Sequence, residues 1–171
     1  MAPQASFAAV IVAAGKGLRA GGSVPKQFAS WRSKPLVRHS AEVFARIGAQ
    51  PIVVVIPEGA EEIAREALAG IAGVELVTGG ATRQQSVRAA LEALADRAPA
   101  TILIHDAARP DLPSAVVDRL TAALAEHPGA IPVLPTIDSM ALAEGGMMAG
   151  AAPRDALRRV QTPQAFRFAE I

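Results

Sequence analysis

Four short stretches carry cations, glycines and a carboxylate, and the first of them could hold a phosphate. The first, FAAVIVAAGKGLRAGGSVPKQF (Phe7 to Phe28), runs from an apolar segment into Gly15, Gly17, Arg19 and Lys26. Glycines let backbone N–H groups approach an anion closely, and the two side chains add formal charge. Arginine offers phosphate oxygens a planar fork, and lysine a compact point charge. The second stretch, GGATRQQSV, starts at Gly79; the third, HDAARP, starts at His105. The fourth is Arg154 with QTPQAF from Gln161. Attack of one phosphate on the α-phosphorus of another builds charge on crowded oxygens, which fixed cations relieve. The residue types therefore suit transfer between phosphates.

Other readings of the first loop fit less well. A Walker A loop needs Gly-Lys-Ser/Thr, which is absent. A dinucleotide fingerprint can be written as Gly15-x-Gly17-x-x-Ala20, but its acidic partner is due about 20 residues on. Here the nearest candidate is Glu58, twice as far along. A solvated glycine-rich turn remains the bland alternative.

Such groups need elements to position them. Apolar runs at 8–13, 51–56, 74–77 and 101–105, with a fifth at 130–134, read as strands. Their continuous rather than alternating apolarity is that of strands buried on both faces of a parallel sheet. Between them, Pro35 to Ile47, Ala60 to Leu68, Gln84 to Asp96 and Ser114 to His127 read as helices. The alternation predicts an α/β fold with a doubly wound, mostly parallel sheet. Ligands of such sheets sit beyond the carboxyl ends of the strands, where the first three stretches fall. Residues from about 136 to 152 are too rich in glycine and methionine, and too long, for a simple sheet connection. They predict a protruding hairpin arm. An isolated hairpin is marginal in water, so Met140, Leu142, Met147 and Met148 point to packing on a partner.

Composition narrows the classes. The 171 residues are 51% hydrophobic and 19% charged, enough to bury a core of one domain. With 17 basic and 16 acidic residues, the net charge of +1 argues against a nucleic-acid binder acting through a broad basic surface. There is no cysteine, hence no disulfide, thiolate metal site or thiol nucleophile. The opening MAPQAS lacks signal-peptide character, and no apolar run approaches a membrane span, so a cytoplasmic protein is expected.

Together the motifs A-A-G-x-G-x-R…P-K, G-G-x-x-R-x-x-S-V, D-A-A-R-P and T-P-Q resemble 2-C-methyl-D-erythritol 4-phosphate cytidylyltransferases of the non-mevalonate isoprenoid pathway. The likeness runs from Ala9 to Phe166. It implies a nucleotide-diphospho-sugar transferase-like fold and transfer of a cytidylyl group from CTP to the polyol phosphate. By that resemblance Ala13, Ala14, Gly15 and Gly17 embrace the CTP phosphates, and Arg19 and Lys26 stabilise the transition state. Gly80 and Ser86 contact the cytosine. Asp106 lies near the ribose, the substrate hydroxyls and a magnesium ion carried by the phosphates. Arg109, Thr136 and Thr162 hold the polyol phosphate, and Arg154 places its phosphate for attack. The resemblance also implies a homodimer joined through the arm, with Arg154 serving the neighbouring site. Residues 1–171 are then one cytidylyltransferase domain, C-terminally incomplete, and in some bacteria this domain is fused to the cyclodiphosphate synthase of the same pathway.

Where the family usually has aspartate after the glycine pair, this chain has Ala81, and it has Pro135-Thr136 where Asp-Thr is common. Bland roles stay open: Asp106 as a helix cap, Arg83 and Arg109 as surface ion pairs, Ser86 as an early helix residue. His105 reads as a packed strand-end residue. Another sugar- or polyol-phosphate nucleotidyltransferase, or a non-catalytic nucleotide-binding module, also fits the residues.

Overall fold

Alternate residues of the first strand face opposite cores, which is why its apolar run is unbroken. In the computed structural model, which describes residues 7–15 and 25–171, β1 (Phe7–Val12) sends Phe7, Ala9 and Ile11 to one core and Ala8 and Val10 to the other. It is followed by a small hairpin of β2 (Ser30–Trp31) and β3 (Lys34–Pro35), then α1 (Leu36–Arg46). Next come β4 (Ile52–Ile56), α2 (Glu61–Ala67), β5 (Val74–Thr78), α3 (Arg83–Leu94) and β6 (Thr101–Asp106). After α4 (Ser114–Ala123) the chain forms short strands: β7 (Gly129–Ala130), β8 (Val133–Pro135), β9 (Ala141–Glu144), β10 (Met147–Ala151), β11 (Arg158–Val160) and β12 (Gln164–Arg167).

The main sheet has the order β5-β4-β1-β6-β12-β7. Its first four strands are parallel; β12 runs antiparallel to β6 and β7. Building outward from β1 to β4 and then β5 keeps α1 and α2 on one face, since such crossovers share one hand. There Val37, Ala41, Phe44, Ala64 and Ala67 pack on Ile11, Ile52 and Val54, joined by Val117 and Leu120 of α4. The return from β5 to β6 reverses direction, and α3 covers the opposite face with Ala90 and Leu94 against Val10, Val53 and Ile104. Strand order therefore reverses between β1 and β6, where the crevice of a doubly wound sheet opens.

The expected doubly wound sheet is present, and the four helices lie close to their predicted bounds. The run 130–134 is a correction: it divides between β7 in the main sheet and β8, which pairs with β11 in a separate ribbon. Pro132 lies between them; it has no N–H to give a ladder, and its carbonyl accepts from Gln161 N–H at 2.9 Å. Strand β12 and the β2–β3 hairpin were not read from the sequence.

The expected arm is an antiparallel ribbon of β9 and β10. It turns at Gly145 and Gly146, with φ of 55° and 81°, a turn that needs two left-handed residues and so selects glycine. Its side chains have little cover: Met147 and Met148 are 74% and 72% exposed. Among the described residues no helix is long and apolar enough to cross a membrane.

Candidate active site

At the carboxyl end of β1 the backbone is held on both sides. Ala13 N–H donates to Val55 O at 2.8 Å, and Ala107 N–H to Val12 O at 3.1 Å. The Gln27 side chain, 5% exposed, reaches back to donate to Ala13 O at 2.6 Å and Gly15 O at 2.9 Å. One buried amide thus fixes both sides of the glycine loop's entry and sets where its neighbour Lys26 emerges, exposed, in a short 3-10 turn.

The second stretch comes up against the first. Gly79 sits so close to the β1 loop that a Cβ there would lie 2.5 Å from Ala14 Cβ and 2.7 Å from Ser86 Oγ. Only glycine fits without a shift of one segment. Its successor Gly80 is equally constrained, since a Cβ would lie 2.4 Å from Gln85 Cβ. The following helix begins with a reciprocal cap: Gln85 N–H donates to Thr82 Oγ1, and Thr82 N–H to Gln85 Oε1, both at 3.1 Å. Ser86 Oγ accepts from Gly80 N–H at 3.2 Å and donates to Thr82 O at 3.0 Å. Ser86, 1% exposed, therefore pins the glycine turn, with Thr82 O the nearer of two carbonyls for its hydroxyl hydrogen.

The third and fourth stretches meet because β12 lies antiparallel beside β6, with Gln164 opposite Ile104. That register brings Thr162 to Asp106, whose N–H donates to Thr162 Oγ1 at 3.2 Å. The Asp106 carboxylate lies between two guanidiniums. Its Oδ1 accepts from Arg83 Nε at 3.1 Å and pairs with Arg83 Nη2 at 3.0 Å, and Oδ2 is 3.7 Å from Arg109 Nε. Arg109 also donates to Gln161 Oε1. His105, 1% exposed, contacts Thr162 Oγ1 through Nδ1 and Arg109 O through Nε2. Burial pushes its pKa below the ordinary value, against the pull of the Arg109 carbonyl and Asp106, and Arg109 adds to the lowering.

Ala14, Gly15, Gly80, Thr82, Arg83, Ser86, Asp106 and Ala108 line one crevice of about 580 Å³ at the β1–β6 reversal. Of the residues named from the sequence, Ala14, Gly15, Gly80, Ser86 and Asp106 are thus brought together. Arg109 and Thr162 join them through Asp106. Ala13 is 2% exposed with its N–H given to β4, and it is not among the crevice-lining residues. Thr136, half-buried after β8, and Arg154, which donates to Ile137 O at 3.4 Å beside the arm, are not among the crevice-lining residues. Gly17 and Arg19 lie outside the described residues. Three contributors escaped the sequence reading. The Thr82-x-x-Gln85 cap carries a legible signature. Gln27 and the Asp106 partner of Arg83, which the sequence offers only as a surface ion pair, depend on tertiary contacts.

A crevice at a strand-order reversal, edged by a glycine pair and a helix start, with a carboxylate between guanidiniums, defines the class of nucleotide-site α/β proteins. The family model for IspD, 2-C-methyl-D-erythritol 4-phosphate cytidylyltransferase, matches residues 7–171, and the chain belongs to that family. Erythrobacter litoralis has a relative named bifunctional enzyme IspD/IspF, 60% identical over 169 residues, covering 99% of this chain and 44% of that protein. A 2-C-methyl-D-erythritol 4-phosphate cytidylyltransferase of Cereibacter sphaeroides is 45% identical, covering 96% of this chain and 74% of the relative. The chain spans less than half the length of the bifunctional relatives. The crystal structure of the cytidylyltransferase from Thermus thermophilus superposes with a TM-score of 0.76 at 36% identity, covering 96% of this chain and 71% of that one.

Replacing Gln27 by leucine keeps its bulk but leaves two carbonyls without their donor. The variant should lose about 1–3 kcal/mol of stability, read by chemical denaturation. An unchanged midpoint would remove Gln27 from this anchoring role.

Proposed function

We propose that the chain transfers a cytidylyl group from CTP to 2-C-methyl-D-erythritol 4-phosphate, releasing pyrophosphate. The observation that carries this reading is the meeting of two half-sites at Asp106. Ala14, Gly15 and Gly80 line the crevice together with Asp106, forming the first wall, and Arg109 and Thr162 contact Asp106 and are taken as the second. Family membership supports assigning the first wall to CTP and the second to the polyol phosphate. An oxygen of the substrate phosphate forms the new bond to the α-phosphorus of CTP, and the bond from that phosphorus to the bridging oxygen breaks, with pyrophosphate leaving. The attacking phosphate is already ionised, so no general base is required. Backbone N–H groups around Gly15 and Gly17 would hold the triphosphate, with Lys26 and Arg19 taking up charge as the transition state forms. Gly80 and Ser86 would face the cytosine; since Ser86 Oγ donates to Thr82 O, it would serve the base as an acceptor. Arg109, Thr136 and Thr162 would hold the polyol phosphate, and Arg154 its phosphate group.

Pyrophosphate release should be seen with CTP and this substrate, and more slowly with UTP or GTP. Preference for another sugar or polyol phosphate would replace the reading with a different nucleotidyltransferase, and CTP binding without turnover by the full-length protein would favour a binding module. Arg19→Ala and Lys26→Ala should each lower kcat by roughly 10²-fold or more while folding normally. Near-normal turnover in either variant would sink that assignment.

A divalent ion, magnesium first, belongs to the proposal. Among the described residues no group of three or more acidic, histidine or cysteine side chains could cage a metal, and Asp106 stands as a carboxylate at the crevice. That donor set suits magnesium held by one carboxylate and by substrate phosphates. When bound, the ion would neutralise charge on the phosphates. Asp106 would have to loosen its contact with Arg83 to accept it. Calorimetry should show magnesium binding only with CTP present; tight binding by the nucleotide-free protein would contradict this.

The working unit is proposed to be a cytoplasmic homodimer joined through the arm, with Arg154 acting in the partner's site. The support is the apolar ribbon of Met140, Leu142, Met147 and Met148, exposed in the single chain, with Arg154 at its foot. In the full-length protein, mixing Arg154→Ala and Arg19→Ala subunits should restore part of the activity, because one heterodimer site would then be intact. No recovery despite subunit exchange, or a monomeric mass for the active protein, would exclude it.

A further inference from the structure

His105 takes no part in the chemistry proposed above, yet its ring is held from three sides. It lies one residue before the end of β6, paired in register with Ile11 of β1. The ring of Phe44 meets it edge-on, with centroids 5.7 Å apart at 73°. Its Nε2 is 2.9 Å from Arg109 O, and its Nδ1 is 3.1 Å from Thr162 Oγ1. A carbonyl can only accept, so Nε2 carries the hydrogen. The ring is 1% exposed and neither nitrogen meets a carboxylate, so it is neutral; Nδ1 is then a bare acceptor, and Thr162 must donate to it. Thr162 Oγ1 meanwhile accepts the Asp106 N–H at 3.2 Å. A hydroxyl has one hydrogen and two lone pairs. With the hydrogen and one lone pair committed, Thr162 can offer a ligand only a lone pair.

We infer that His105 is a positioning residue for the polyol-phosphate half-site, fixing Thr162 as a hydrogen-bond acceptor for a substrate hydroxyl and holding the Arg109 backbone in place. This rests on the reaction proposed above. The ring ties together the end of β6, the loop carrying Arg109 and the approach to β12, which are the three segments that form that wall. Without it, the Thr162 hydroxyl can rotate and present its hydrogen, which a donating substrate hydroxyl would meet unfavourably. The nucleotide wall, built from Ala14, Gly15 and Gly80, has no hydrogen bond to His105.

The test compares His105→Phe with His105→Asn in the full-length protein. Phenylalanine keeps a ring against Phe44 and loses both hydrogen bonds; asparagine restores an acceptor for Thr162. The KM for methylerythritol phosphate should rise about tenfold in the Phe variant, the effect of about one lost net hydrogen bond, and recover at least in part in the Asn variant. The KM for CTP should stay within about twofold in both. An unchanged polyol-phosphate KM in His105→Phe, or equal losses for both substrates in both variants, would overturn the inference. A second readout needs no turnover: in protein labelled with 15N-histidine at neutral pH, the His105 ring should show a protonated Nε2 and an unprotonated Nδ1. The opposite tautomer, or a ring protonated on both nitrogens, would overturn the inference. Failure of the wild-type protein to release pyrophosphate from this substrate would instead strike the proposed reaction, leaving the tautomer to decide the geometry.

Discussion

Strand β1 is hydrogen-bonded along both edges, to β4 on one side and to β6 on the other, and the site depends on that double ladder. Parallel pairing aligns the carboxyl ends of neighbouring strands, so Ala13, Asp106 and, one strand further out, Thr78 finish at the same level. Because the helices after β1 and β5 lie on opposite faces, no helix among the described residues covers the gap above β1 and β6. The loops can then meet over it. Residues far apart in sequence, such as Gly15, Gly80 and Asp106, become neighbours there.

Two kinds of constraint hold these loops, and they act at different ends of the crevice. At the β1 end the control is steric and local to the backbone: the approach of Gly79 to Ala14, and the Gln27 amide against two carbonyls. At the β6 end it is electrostatic: Asp106 is shared by Arg83 from the helix after β5 and Arg109 from its own loop. Both ion pairs are partly exposed, so they contribute little to stability by themselves. Their consequence is directional. They hold two cations on the Asp106 carboxylate at the crevice.

The sequence carried the fold where both faces of an element are buried or one face is. The runs 8–13 and 51–56 read as strands because their apolarity is continuous, and Pro35 to Ile47 reads as a helix because proline stands at its first turn and Gly48 just past its end. Short elements held by pairing were less legible. In 130–134 the apolar run spans two different sheets, and in Gln164 to Arg167 polar ends hide a strand whose place comes only from β6 and β7. Site residues divide similarly. Lys26 follows from a basic glycine loop at a strand end, and Gly80 and Asp106 from the resemblance of their motifs. The support given by Gln27, the burial of Ala13 and the second bond of Ser86 do not, since each depends on what the chain packs against.

The unequal covering of the sheet has a consequence for amide hydrogen exchange. One face carries α1, α2 and α4 with Phe44 at its centre, while among the described residues the other is covered chiefly by α3 through Val87, Ala90, Leu91 and Leu94. Regions with fewer buried apolar neighbours open at lower free energy than the global transition. Helix α3 also carries Arg83 and Ser86, so the helix that covers this face nearly alone also lines the crevice. A nucleotide seated there would tie α3 to β1 and β6, slowing deuterium uptake along that helix much more than in α1. Its exchange pattern would register occupancy of the crevice even where no chemistry follows.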